Sequence, residues 1–183
     1  MCVGQTPGGV GLKPGAARRR APRGVASGQT PSMSLSIRPL VAADRSGWDP
    51  LWRGYLAHYR EDLPAEVTER SFARLAAGSD ASWGHVAVGD GGALVGLAHA
   101  LLHASSWSIG GYAYLEDLYV APEARGGDVG RALIAAVADE ARRRGATRLY
   151  WQTQAYNGRA RSLYDQVGHL SSSVLYEQDL AEG

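Results

Sequence analysis

Cysteine is all but missing from this chain of 183 residues; the single one, Cys2, lies in an N-terminal stretch. A disulfide framework and a thiol nucleophile are thereby excluded, and the cytoplasm is the expected compartment. No apolar run approaches the roughly 20 residues that span a bilayer, so no membrane partner is expected. No His, Cys and Asp residues stand at ligand spacing, which removes the expectation of a metal, and internal repeats are absent. A basic surface is lacking too, although the formal net charge is +1. Five of the 19 basic groups (Lys13, Arg18, Arg19, Arg20 and Arg23) fall within residues 1–32, where no acid stands, which leaves 14 basic against 18 acidic groups in 33–183. A mildly acidic domain argues against a nucleic-acid partner and suits a cationic substrate.

Residues 1–32 hold seven Gly and four Pro without apolar periodicity. They are expected to be a disordered extension, with no apolar run after the triple Arg to make a signal sequence. The pattern turns globular from 33 to 183, the length of one domain with its own core. Ser34–Arg38 alternates and stops at Pro39, predicting a short strand. Trp48, Leu51, Trp52, Tyr55, Leu56 and Tyr59 recur at spacings of three and four, predicting an amphipathic helix from Asp44, its possible cap, to Tyr59. This aromatic ladder reads as core more readily than as a ligand site. A second helix is expected from Pro64 or Thr68 to Gly78. Two apolar runs, Ser82–Val88 and Ala93–His103, flank Gly89-Asp-Gly-Gly92 as a hairpin. After a connection through Ser105–Gly111, Tyr112–Val120 is a strand halted by Pro122.

The stretch after that strand organises the chain. Arg125 to Gly130 carries three glycines in six positions and runs into Val129, Leu133, Val137 and Ala141, one face of a helix ending at Gly145. A glycine turn at a helix start offers unpartnered N–H groups and a partial positive charge, a combination that binds phosphate. Neither the Walker spacing nor GxGxxG is present. Ala146–Thr153 is expected as a strand, Asn157–Val167 as a helix closed by Gly168, and Ser172–Gln178 as a last strand.

The segment Arg125 to Leu133 resembles the pyrophosphate-binding segment of the GCN5-related N-acetyltransferase (GNAT) superfamily. Arg125, Gly130 and Arg131 fit, whereas Asp128 stands where the family pattern has a glycine. Either its side chain turns to solvent in left-handed backbone, or its charge weakens coenzyme binding. The element order β-α-α-β-β-β-α-β-α-β extends the likeness from Leu35 to Leu180. It implies an α/β (α+β) fold, a mixed, mostly antiparallel central sheet flanked by helices. Tyr114-Leu-Glu-Asp, with Trp107 upstream, and Asn157-Gly-Arg-Ala-Arg-Ser-Leu-Tyr164 are similar to the spermidine/spermine N-acetyltransferase-like branch. That resemblance implies acetyl-coenzyme A as cosubstrate and a small primary amine, polyamine-like or amino-acid-like, as acceptor. It assigns the pantetheine and acetyl carbonyl to Leu118, Tyr119 and Val120, and the pyrophosphate to Arg125, Gly126, Gly127, Asp128, Val129, Gly130 and Arg131. Asn157, Gly158, Arg159 and Ala160 take the rest of the arm, Tyr164 protonates the departing thiolate, and Tyr55 and Trp107 join Asp117 at the substrate. A homodimer is a further possibility, since many relatives pair through their last strands.

Amine chemistry sets requirements of its own. An aliphatic ammonium with a pKa near 10.4 is a free amine in only about one part in 2,500 at pH 7, a penalty of roughly 4.6 kcal/mol. Glu116 or Asp117 is the natural proton acceptor. Alternation sets them on opposite faces unless a bulge intervenes, which favours Glu116 as base and Asp117 as cation anchor, the reverse remaining open. The N–H of Leu118 or Tyr119 is a candidate oxyanion donor if the strands splay there. His99 and His103 are alternative bases or structural residues. A protein lysine acetyltransferase and a non-catalytic acyl-coenzyme-A-binding module are the competing functions.

Overall fold

Ser36–Pro39 forms β1, and Arg45–Tyr59 and Ala65–Ala77 form α1 and α2. Ser82–Val88, Leu94–Ser105 and Ser108–Val120 are β2, β3 and β4, followed by α3 at Val129–Arg143, β5 at Leu149–Tyr150 and α4 at Gly158–Val167. This computed structural model describes residues 34–180 apart from Asp80; the expected disordered segment 1–32 lies outside the described residues. One sheet runs in the order β1-β2-β3-β4-β5, antiparallel except that β5 joins β4 in parallel. The expected mixed, mostly antiparallel sheet is thus present. No helix among the described residues is long and apolar enough to cross a membrane.

Each sheet face carries its own core. α3 lays Val129, Leu133, Val137 and Ala141 on Trp83, Ala87, Ala98, Ala100, Ala113 and Leu115. Opposite, Trp48, Leu51 and Trp52 of α1 and Phe72 and Leu75 of α2 cover Val86 and Leu97. Leu133 and Val137 are fully buried, and removal of such a side chain from water stabilises the fold by about 1.5–3 kcal/mol. α2 ends where Gly78 adopts φ 65°, and Gly145, at φ 84°, follows α3, as glycine's missing Cβ allows.

Four expectations need correction. Asp44 does not cap α1 with its side chain. Its carboxylate accepts from the Val41 N–H at 2.9 Å and from both Arg38 Nη atoms at 2.7 Å, bracing the turn before α1. Ser105–Gly111 is not a long connection, because β3 and β4 stay paired out to Ser105 and Ser108 and turn tightly between them. The strand expected over Ala146–Thr153 is only two residues long, and Ser172–Gln178 has no strand conformation. Its Val174, Leu175 and Tyr176 are exposed. So short a β5 offers no edge on which a further strand could build a ladder.

Candidate active site

A single extra residue in β4 shapes the site. His99 pairs with Asp117 but Ala100 pairs with Leu115, so Glu116 is bulged out of the ladder. Side-chain alternation changes phase at that point. Ala113 and Leu115 pack on the α3 face, and beyond the bulge Leu118 and Val120 do so, while Tyr119 packs on the α1 face. Main-chain direction changes with it. The Ala113 N–H donates to Arg148 O on the β5 side, whereas that of Ala121 donates to Val95 O on the β3 side. Alternation between these bonds directs the N–H groups of Leu118 and Val120 to the β5 side. β5 pairs only with Ala113 and Tyr114, so those two donors face an opening. Of the two candidate oxyanion donors, Leu118 is the one so directed; the Tyr119 N–H points into the ladder.

The opening continues into a cavity of about 530 Å³ lined by Tyr55, Tyr59, Leu118, Val120, the 124–131 bend and Asn157 to Gln166. In the bend it is Gly126, not Asp128, that takes the left-handed conformation, with φ 94°. A Cβ added at Gly126 or Gly127 would meet no atom within 4 Å, so the main chain there is open to a ligand. Asp128, at φ −86°, is the residue before α3 and makes no side-chain cap. Its side chain is 86% exposed and 3.7 Å from Arg131 Nε, so it turns to solvent beside a cation and does not plug the bend. Arg125 braces the structure, donating from Nε to Val120 O at 2.8 Å and lying over the Tyr119 ring. Val129 is buried and belongs to the core, leaving its N–H rather than its side chain for a ligand. Gly130 lets α4 approach, since a Cβ would come within 3.1 Å of Leu163. Arg131 ties the helices by donating to Gln166 Oε1 at 2.5 Å. The Asn157 side chain is occupied, accepting from the Ala160 N–H at 3.3 Å and donating to Thr153 at 3.1 Å.

A second cavity of about 770 Å³ adjoins, sharing Tyr55, His58, Tyr59, Asn157 and Arg159 and adding Arg60, Glu61, Tyr156 and Gly158. The aromatic ladder of α1 therefore divides. Trp48, Leu51 and Trp52 are core, while Tyr55 and Tyr59, one and two turns further on, line both cavities. In the sequence Tyr59 is legible only as part of that ladder. It sits near Tyr164, whose phenol burial pushes up to about 12, with Tyr59 adding to the effect. Tyr164 packs edge-on against Trp151.

Burial raises the Glu116 carboxyl above the ordinary range, and the neighbouring Asp117 charge adds to this, against opposing effects of Arg74 and His99. Asp117 is mostly buried, with its side chain 12% exposed, and accepts from His99 Nδ1 at 2.8 Å. The bulge has brought both carboxylates near Tyr55, whose phenol is pushed up by burial and then by the Asp117 charge. His99 is 1% exposed and committed to this network. His103 is bonded to Ala104 O and to the Tyr150 hydroxyl, and it pairs with Tyr112 on the hairpin-tip side of the bulge. Neither histidine faces the opening as a base. Trp107, expected at the substrate, is 85% exposed in the β3–β4 turn. Ten strand residues at about 3.3 Å each separate it from Asp117, roughly 30 Å, so it does not join the site.

A strand opened on one side, donors facing the gap, a glycine bend entering a helix, and a raised carboxyl near a protonated phenol define an acyl-transfer site. The pattern of the Acetyltransferase (GNAT) family matches residues 48–169. The chain is 35% identical over 158 residues to the D-amino-acid N-acetyltransferase HPA3 of Saccharomyces cerevisiae, covering 84% of this chain and 98% of that one. It is 37% identical over 67 residues to the thialysine N-epsilon-acetyltransferase of Caenorhabditis elegans, 37% of this chain and 41% of that one. In fold it is similar to the aminoglycoside N-acetyltransferase AAC(6')-Iy solved with a bisubstrate analogue (TM-score 0.69, 18% identity, 81% of this chain and 99% of that one). The chain belongs to the GNAT acetyltransferase family and is an N-acetyltransferase.

Proposed function

We infer that the protein transfers an acetyl group from acetyl-coenzyme A directly to the primary amine of a small, amino-acid-like or polyamine-like molecule. The observation that carries this reading is the phase change at Glu116, which combines a raised carboxyl with main-chain donors on the unpaired edge of β4. When bound, acetyl-coenzyme A supplies the activated acetyl group; the open bend at Gly126 and Gly127 and the first N–H groups of α3 suit its pyrophosphate. The mixed charge of the larger cavity, with Arg60 and Arg159 beside Glu61, supports an acceptor carrying both signs, as an amino acid does. The similarity to a D-amino-acid acetyltransferase points the same way.

Glu116 takes the ammonium proton, directly or through a water, and its raised pKa makes it the stronger base. As the C–N bond forms, the Leu118 N–H donates to the charge growing on the carbonyl oxygen. As the C–S bond breaks, the Tyr164 hydroxyl donates to the departing sulfur. With Tyr164 near 12 and a thiol near 8.5, full transfer is uphill by about 5 kcal/mol. Tyr164 therefore acts chiefly by a hydrogen bond to the developing thiolate, and solvent completes its protonation.

A non-catalytic coenzyme-binding module is favoured only by the carboxylate at Asp128, and its exposure weakens that argument. The test is release of free thiol from acetyl-coenzyme A with a panel of D-amino acids, thialysine, spermidine and a lysine-bearing peptide. Turnover with small amines and little with the peptide is expected; thiol release with the peptide alone, or with none, overturns the reading. The exposed Leu170, Val174, Leu175, Tyr176 and Leu180 suit contact with a second copy of the chain, and a monomer by size-exclusion with light scattering would refute a homodimer.

A further inference from the structure

A chain of buried polar side chains runs from the core under α1 to the acceptor side of the site. Trp48 is 0% exposed and donates from its indole Nε1 to His99 Nε2 at 3.0 Å. An indole N–H can only donate, so Nε2 must accept and the ring proton of a neutral His99 sits on Nδ1. That proton is directed at Asp117 Oδ2, 2.8 Å away. The ring cannot readily turn, because it is packed by Trp48 at 5.8 Å and Trp52 at 5.5 Å between centroids. Tyr55, which lines both cavities, stacks on Trp52 at 5.3 Å between centroids, and Trp52 packs on His99, so the phenol stands within reach of the Asp117 charge.

We propose that Trp48 and His99 are positioning residues that lock the Asp117 carboxylate behind Tyr55, so that its fixed charge holds the substrate ammonium at the cavity face of that phenol. The proposal rests on the acetyl-transfer site described above. A buried polar chain is a poor device for stability alone, since apolar residues of similar volume serve as well or better. This one ends beside the bulged Glu116, where the same Asp117 charge acts on the base. The other titratable and charged groups acting on this cluster are Tyr59 from α1, Arg74 from α2, and Glu116 and Tyr114 from β4. Asp117 is thus the buried end of a relay, and Tyr55 is the group that meets the amine.

Steady-state kinetics with the best amine of the panel test this. His99→Leu should raise the amine KM about tenfold, the loss of one charge-assisted hydrogen bond, with the KM for acetyl-coenzyme A within about twofold. His99→Asn places an amide N–H near the lost Nδ1 donor and should restore much of the amine KM. Asp117→Asn should move the acid limb of kcat/KM to lower pH, because the charge acting on Glu116 is gone. Equal amine KM in the wild type and in folded His99→Leu overturns the relay, as does failure of His99→Asn to differ from His99→Leu. If His99→Leu does not fold, Trp48→Phe, which removes only the first donor, must raise the amine KM or the relay is refuted. Glu116→Gln separates the two readings. An acid limb that persists in Glu116→Gln while His99→Leu raises the amine KM removes the base and leaves the relay. An acid limb lost in Glu116→Gln with unchanged amine KM in His99→Leu does the reverse.

Discussion

His85 ties the stability of the α3 face to pH. It lies on β2 between Trp83 and Ala87, is 6% exposed, and its Nδ1 has no hydrogen-bond partner among the described residues. Glu140 and Arg143 of α3 and Arg144 just past its end stand above, with Arg144 over the Trp83 ring and both arginines paired to Glu140. Burial, then the charges of Arg143 and Arg144, lower its pKa from 6.5 to about 4. The unfolded chain therefore binds the proton first, and stability falls as pH drops through 6.5 toward 4. The full loss below pH 4 is about 3 kcal/mol, of which about 2 kcal/mol accrues between pH 7 and 5. For a domain of this size that lowers Tm by about 4–8 °C. Asp44, held down by Arg38, loses stability only below its ordinary 3.8, outside the window. The raised Glu116 acts in the opposite direction but equally in any variant at position 85. Thermal unfolding followed by circular dichroism at pH 7 and 5, on the wild type and on His85→Gln, isolates the histidine. The variant's decrease should be smaller by that amount, and equal decreases would refute the reasoning.

Two further expectations concern the coenzyme side. Tyr164→Phe should lower kcat about a hundredfold while calorimetric affinity for acetyl-coenzyme A changes by less than about twofold; unaltered turnover removes the phenol from the reaction. Asp128→Gly should tighten coenzyme A binding only about two- to threefold, and less in high salt, because the carboxylate is exposed and screened. Weaker binding in that variant would mean that the aspartate holds the bend in shape.

Elements with long periodic patterns are legible from the residues alone. The row Val129, Leu133, Val137, Ala141 and the glycine stops mark α3, and the whole bend from Arg125 to Arg131 lies where the motif indicates, lining the cavity almost throughout. The last third of the chain is harder to read because a strand needs a neighbour. Ser172–Gln178 centres on Val174-Leu175-Tyr176, residues that suit a strand, yet strand pairing is a long-range property that the segment does not itself contain. Trp107 misleads for a related reason, since its distance from the site depends on how far β3 and β4 remain paired. The bulge at Glu116 enters a sequence reading only as a condition, since nothing in Tyr114-Leu-Glu-Asp marks which residue leaves the ladder. His99 reads as either a base or a structural residue, and its partners, 51 and 18 positions away, appear only when the sheet and α1 meet.

The odd residue in β4 is one that the sheet could do without. Were Glu116 lost, Leu115 and Asp117 would become neighbours in ordinary alternation, and Asp117 to Val120 would keep both their faces and their amide directions. Such a deletion would heal the ladder and remove only the half-buried carboxyl at the mouth of the opening. What keeps an extra residue at this point is therefore to be sought in the reaction and not in the stability of the strand.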